Sequence, residues 1–177
     1  MSQLESRKEY ALRWIYGTTI PLIVLTAPAT TYFTTVNRIS RKFLVPDELD
    51  NADYPCVCII DDGQTSYTPL TANTYTTGTP QDITSGCPIF LIGYVMLEDE
   101  GKEGDAGGLS TLMNKLHRDM IVAMHTDTTL GNYVLHTSLS SSATSTVFSA
   151  EKRIGTVIQQ YEIKYDFEPQ HATTPTT

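Results

Sequence analysis

Several stretches of this sequence hold residue types that do chemistry elsewhere. His117-Arg118-Asp119 spells the tripeptide of a kinase catalytic loop, where the aspartate acts as base. The glycine-rich loop, the strand lysine and the metal-binding acid that this chemistry needs are missing. The tripeptide also falls inside a helical pattern, so a solvated helix face is expected instead. His117 and His125 are eight residues apart and drift off one helical face, whereas a metal-binding helix holds its pair at i,i+4. Asp61 and Asp62 follow an apolar run, a place where catalytic carboxylates occur, but Asp-Asp-Gly is the composition of a turn. Gly101, Gly104, Gly107 and Gly108 precede a helical pattern as a phosphate cradle would. Five acidic residues between 98 and 105 would repel a phosphate, and no Lys-Ser/Thr pair follows.

The cysteines are Cys56, Cys58 and Cys87, an odd number with no second Cys or His pair at zinc-ligand spacing. Cys56 and Cys58 are read as taking alternate sides of a strand, which keeps them from bridging. A pairing through Cys87 stays open, and reduced, buried thiols are expected. No catalytic residue, metal or cofactor is expected, and the chain is not read as an enzyme. The residues that remain suit contacts between macromolecules. Arg38, Arg41 and Lys42 form a basic cluster in an acidic chain. They suit either an exposed strand edge guarded by charge or a patch complementary to an acidic neighbour, another copy or a partner. Tyr67 and Tyr75, with Glu162, Lys164 and Asp166 on the polar side of the last strand, complete the candidate interface.

The chain's 177 residues suit one core, so a single domain over 1–168 is expected, with a disordered tail at 169–177. Apolar residues make up 40% and charged residues 18%, and the balance is Thr and Ser, which favours strands and loops over charged helices. A net charge of −8 argues against a protein that grips phosphate backbones. It is compatible with a passive channel whose wall lets DNA slide, and solubility alone is the simpler account. The charged start MSQLESRKEY does not read as a signal peptide, and Ile20–Leu25 is too short to span a bilayer.

The elements follow from periodicity. Ser2 and Glu5 have capping-box spacing, and Leu4, Ala11, Leu12 and Ile15 recur at helical intervals, with Tyr10 and Trp14 as an i,i+4 aromatic pair. A helix from Ser2 to Tyr16 is expected, ending near Gly17. β-Branched and aromatic residues from Tyr32 to Val45 predict a strand stopped by Pro46. Residues 56–60 and 89–97 are apolar on both faces and predict central strands needing cover on both sides. Between them, the Thr-rich residues 64–86 fit a long loop or a protruding hairpin. Leu109, Leu112, Met113, Leu116, Met120, Ala123 and Met124 line one face of a helix over 108–125. Tyr133 to Leu139 and a Ser/Thr-rich stretch to Phe148 follow. Val157, Tyr161, Ile163, Tyr165 and Phe167 then alternate with polar residues in a closing strand. The fold class is α+β, an antiparallel or mixed sheet against two helices with a long-loop or hairpin insertion.

This order has a likeness. A helix leads to a strand bearing Arg-x-x-Arg (Arg38 and Arg41) and an aspartate–leucine turn closing in Tyr54-Pro55. An apolar strand, a long loop, a second apolar strand and the helix LSTLMNKLHRDMIVAM come next, before the closing GTVIQQYEIKYDFE. From about residue 4 to 168 the chain resembles tail-terminator and related neck or tail-completion proteins of tailed bacteriophages. Its segments 64–86 and 138–150 are longer than that pattern. The resemblance implies a structural virion protein, a hexameric ring that ends tail-tube polymerisation and joins the tail to the head connector. It implies contacts with further copies, the tail tube protein and the connector protein, and genomic DNA passing the lumen unbound. It implies no membrane, synthesis in the host cytoplasm and a final place in the virion. The 64–86 segment is expected to touch the tube. Rival readings are a tube or head-completion protein of similar fold, or a small cytosolic ligand-binding domain, which would need a concave site with converging polar groups.

Overall fold

The two apolar runs become neighbouring inner strands of a six-stranded mixed sheet. The computed structural model describes residues 7–25, 31–61, 66–69, 83–97, 106–148 and 152–167, with 66–69, 83–85, 106–107, 147–148 and 166–167 described by backbone alone. In chain order the elements are α1 (Arg7–Trp14), β1 (Arg38–Ser40), β2 (Cys56–Asp61), β3 (Ser66–Pro69), β4 (Ile83–Leu97), α2 (Ala106–Thr126), β5 (His136–Phe148) and β6 (Arg153–Phe167). The strand order is β1-β2-β4-β6-β5, with β3 also on β4. Only β1–β2 is parallel; the other described pairs are antiparallel. The chain is therefore an α+β protein with a mixed sheet and two helices.

The spine is the β4–β6 pair, which stays in register from Ile83↔Phe167 to Leu97↔Arg153. The described odd-numbered side chains in the middle of both strands face the helices, where Cys87, Ile89, Leu91, Val95, Val157, Tyr161 and Ile163 join the main core. From α2 come Leu109, Met113, Leu116, Met120, Ala123 and Met124, the face its periodicity marks. Side chains of the helix pack directly over two sheet positions that are glycine. A Cβ on Gly93 would stand 2.7 Å from Leu116 Cδ2, and one on Gly155 would stand 2.4 Å from Met113 Cγ. On the far face Cys56, Cys58, Tyr94 and Ile154 form a second, smaller core under the 44–54 turns, with Leu49 and Tyr54. Residues two apart in a strand share a face, so Cys56 and Cys58 lie side by side rather than on alternate sides.

Several boundaries differ from expectation. The first helix does not stop near Gly17: a π-turn (Ile15–Thr19) and a 3-10 turn (Ile20–Leu22) carry it on, because Ile15, Thr19 and Ile20 are all buried. Ser2, Leu4 and Glu5 lie outside the described residues. Tyr10 and Trp14 do not pair with each other alone; both pack on Tyr133, with centroids at 5.0 and 6.0 Å. Of the strand expected over 32–45, only Arg38–Ser40 forms. The chain before it is held by a side chain instead: Asp119 Oδ2 accepts from Phe33 N, Thr34 N and Thr34 Oγ1, each at 2.8 Å. Part of 64–86 is a hairpin arm, since β3 pairs with β4 from Ser66↔Gly86 to Pro69↔Ile83; residues 70–82 lie outside the description. Residues 127–135 form a turn knotted by Asp127, whose carboxylate accepts from Thr129 N and Gly131 N. The strand expected at Tyr133 therefore starts at His136 and runs unbroken to Phe148, with an irregularity at Ser140. The expected tail at 169–177 is outside the described residues.

Two substitutions test this packing. Gly155→Ala should destabilise by about 1–3 kcal/mol through overpacking against Met113, read from urea denaturation midpoints. Asp119→Ala should cost about 3 kcal/mol, because it strands buried donors that now meet a carboxylate. Hydrogen exchange should show early loss of protection at the Phe33 and Thr34 amides.

Candidate assembly surfaces

Of the basic cluster, two members are already engaged within the chain. Arg38, on β1, places Nη1 2.6 Å from Asp53 Oδ2, and the same oxygen accepts from Asp50 N at 3.0 Å. The Asp50 amide first and the Arg38 guanidinium second hold the Asp53 carboxyl below its ordinary range. Arg41 forks onto Glu9 of α1, at 2.6 Å to Oε1 and 3.0 Å to Oε2, and this contact lowers the Glu9 pKa. A planar guanidinium suits such a two-point grip. Lys42 is exposed and makes no ion pair among the described residues; its amide closes a small turn on Ser40 Oγ. Arg38 thus clasps the 50–53 turn and Arg41 ties α1 to the chain just after β1.

The other candidates are not gathered around this cluster. Glu162 and Lys164 stand on the far face of β6, half-buried and exposed respectively. Asp166 belongs to the same strand, described by its backbone alone. Strands β2 and β4 lie between β6 and Arg38, about 14 Å across the sheet at ordinary strand spacing, and Arg38 is level with Thr156 rather than with Glu162 or Lys164. Tyr67 lies in β3, again described by backbone alone, and Tyr75 is outside the described residues.

The chemistry-bearing motifs resolve into structural parts. His117-Arg118-Asp119 is not a solvated helix face. Asp119 is fully buried, Arg118 lies over the Phe33 ring at 4.6 Å and donates to Thr31 O, and the His117 carbonyl accepts from buried Gln159. His125 Nδ1 contacts the Ile121 carbonyl at 2.9 Å. Asp61, at the end of β2, meets Lys8 Nζ at 2.7 Å and the Cys87 thiol at 3.7 Å, a cluster that no local spacing announces. All three cysteines are free and buried, and burial pushes the Cys87 thiol up. Contact with the Cys56 thiol draws Cys58 down to about 7, against the opposing effect of burial. Among the described residues no three His, Cys, Asp or Glu side chains gather to hold a metal, and no helix is long and apolar enough to cross a membrane. An open cleft of about 610 Å3 is lined by Asn51, Tyr54, Pro55, Val95, Met96, Leu97 and Leu112. No carboxylate, imidazole or amine lines it.

What the fold leaves uncovered is more informative. Among the described residues no strand pairs with the outer side of β5, and Ser140 through Thr146 are all exposed. Edges are normally guarded by Lys, Pro, a short strand or an inward charge. β5 is thirteen residues long and contains no Pro, Lys, Arg, Asp or Glu; its one irregularity, at Ser140, leaves the rest open. At the opposite edge, β1 has three residues flanked by arginines. Beside it, Leu22, Val24 and Leu25 are 47, 44 and 51% exposed. On the far face Ile60, Phe90, Ile92 and Ile158 stay half-buried. A charge-free serine and threonine run was readable in the sequence, but its position at an edge was not.

No protein-family model matches the sequence, and no curated protein matches it.

The two arginine clasps should make stability sensitive to acid. Glu9 and Asp53 have folded pKa values below their ordinary 4.5 and 3.8, so their contribution is present above those values and is lost as pH falls through the lowered ones. Arg38→Ala with Arg41→Ala should change stability little at pH 7, because the pairs are partly exposed. The loss of stability between about pH 5 and pH 3 should shrink in the double variant by the same small amount, measured by denaturation at a series of pH values.

Proposed function

We propose that this protein is a structural subunit that closes into a ring at the head-proximal end of a phage tail. There it ends growth of the tail tube and joins the tail to the head connector. The observation that carries the reading is the unguarded edge strand β5. A monomer keeping an edge strand with exposed Ser140 through Thr146 and no Lys, Arg, Asp or Glu in water would be a template for uncontrolled pairing, so the edge suits a protein whose working state covers it with another subunit. The half-buried apolar residues of the far face, Ile60, Phe90, Ile92 and Ile158, favour the same conclusion. The resemblance in element order supplies the virion context. A net charge of −8 suits a lumen through which DNA passes without sticking. The β3–β4 arm, paired beyond the end of β2, is the part of the 64–86 segment suited to meet the tube.

Light scattering and negative-stain imaging of the purified protein test this, alone and mixed with isolated tail tubes. Closed rings of uniform size, or rings formed on tube ends, are expected. Open filaments of the protein alone would instead make it a tube subunit. A single-chain mass under both conditions would overturn the assembly reading.

A further inference from the structure

We infer that Cys56 and Cys58 form a binding site for one soft monovalent cation, Cu(I), with the Met96 thioether as a third donor at its entrance. This reading is independent of the assembly proposal. Both cysteines are free and fully buried. They stand two residues apart on β2 and so point the same way, into the small far-face core, where their thiols are in contact. Two adjoining thiols are a ready chelate of soft sulfur. Met96 packs on the same core. Cys56 lies opposite Tyr94 in the β2–β4 register, so Met96 stands on its diagonal, a distance that a long, unbranched side chain spans. Met96 also lines the open cleft together with Tyr54 and Pro55, the two residues ahead of Cys56. The cleft thus opens beside Cys56, with a thioether in its wall. The donor set selects the cation. Thiolates and thioethers are soft ligands that suit Cu(I). Zinc completes a tetrahedron of four donors, and among the described residues no third Cys, His, Asp or Glu joins the pair. Hard cations want oxygen ligands, and no carboxylate lines the cleft. Binding releases both thiol protons to water and leaves a dithiolate–copper unit with one net negative charge. Arg38 is in register with Cys56 across β1 and β2, and its guanidinium acts on both sulfurs, which offsets that charge.

Anaerobic titration of the full, reduced chain with Cu(I) buffered by the chelator bicinchoninate tests the site. One equivalent should bind, and X-ray absorption should show sulfur alone around the copper, near the roughly 2.3 Å of metal–thiolate bonds. Cys56→Ser and Cys58→Ser should each weaken binding more than about a hundredfold, since each removes one of two thiolates. Met96→Leu should weaken it about tenfold while keeping the side-chain volume. Cys87→Ser, outside this core, should bind as wild type does, and an equal concentration of Zn(II) should not compete. Circular dichroism checks the fold of each variant. The copper shell is read on the wild type, so a serine variant that does not fold leaves the test intact. Copper that stays with the chelator, nitrogen or oxygen in the shell, or wild-type affinity in a folded Cys58→Ser chain would overturn the site.

Discussion

The close approach of α2 to the sheet is the constraint on which most other features depend. It exists because Gly93 and Gly155 leave room for Leu116, Met120 and Met113 where any Cβ would collide. With the helix seated that deeply, Asp119 is buried between helix and loop and its carboxylate reaches the amides of Phe33 and Thr34. A buried charge needs such partners, since desolvation alone would be costly. The loop in turn is set beside Ile23 through Val36 and beside Pro55 through Asn37, which delivers Arg38–Ser40 to the edge of β2. A packing choice in the middle of the sheet thereby decides what stands at its margin.

The two ion-pair clasps work outward from the same margin. Arg41 reaches back to Glu9 on α1 and Arg38 forward to Asp53 in the turn before β2. They consume the positive charge that a partner would otherwise read. The β1 edge is left short and guarded, with the apolar residues 22–25 as its open flank. β5 has no comparable guard among the described residues: no strand pairs with its outer side, and it contains no Lys, Arg, Asp, Glu or Pro. This asymmetry between a guarded edge with an apolar flank and an open, neutral edge is the physical content of the assembly reading.

Much of the fold was legible in local pattern. The 3.6-residue period of Leu109 through Met124 and the alternation of Val157 through Tyr165 each reappear as a helix face and a strand face. The two apolar runs became inner strands because side chains apolar on both sides are stable only with both sides covered. The reading failed where local preference competed with a distant partner. Tyr32–Val45 has strand composition, yet the amides of Phe33 and Thr34 bind the Asp119 carboxylate instead of a neighbouring strand. Asp119 itself looked solvated because periodicity says nothing about a loop 85 residues away arriving to cover it.

The candidate surfaces divide in the same way. Charge-free runs, basic residues and alternating faces are properties of the chain, and the sequence alone determined them. Whether Arg38 and Arg41 face a partner or are spent inside, and whether a serine-rich strand is central or at an edge, depends on which elements pack beside them. Only the tertiary structure decided that, because hydrogen bonds and ion pairs form with whatever is nearest in space. The order of strands in the sheet, not the order of residues, set what was near.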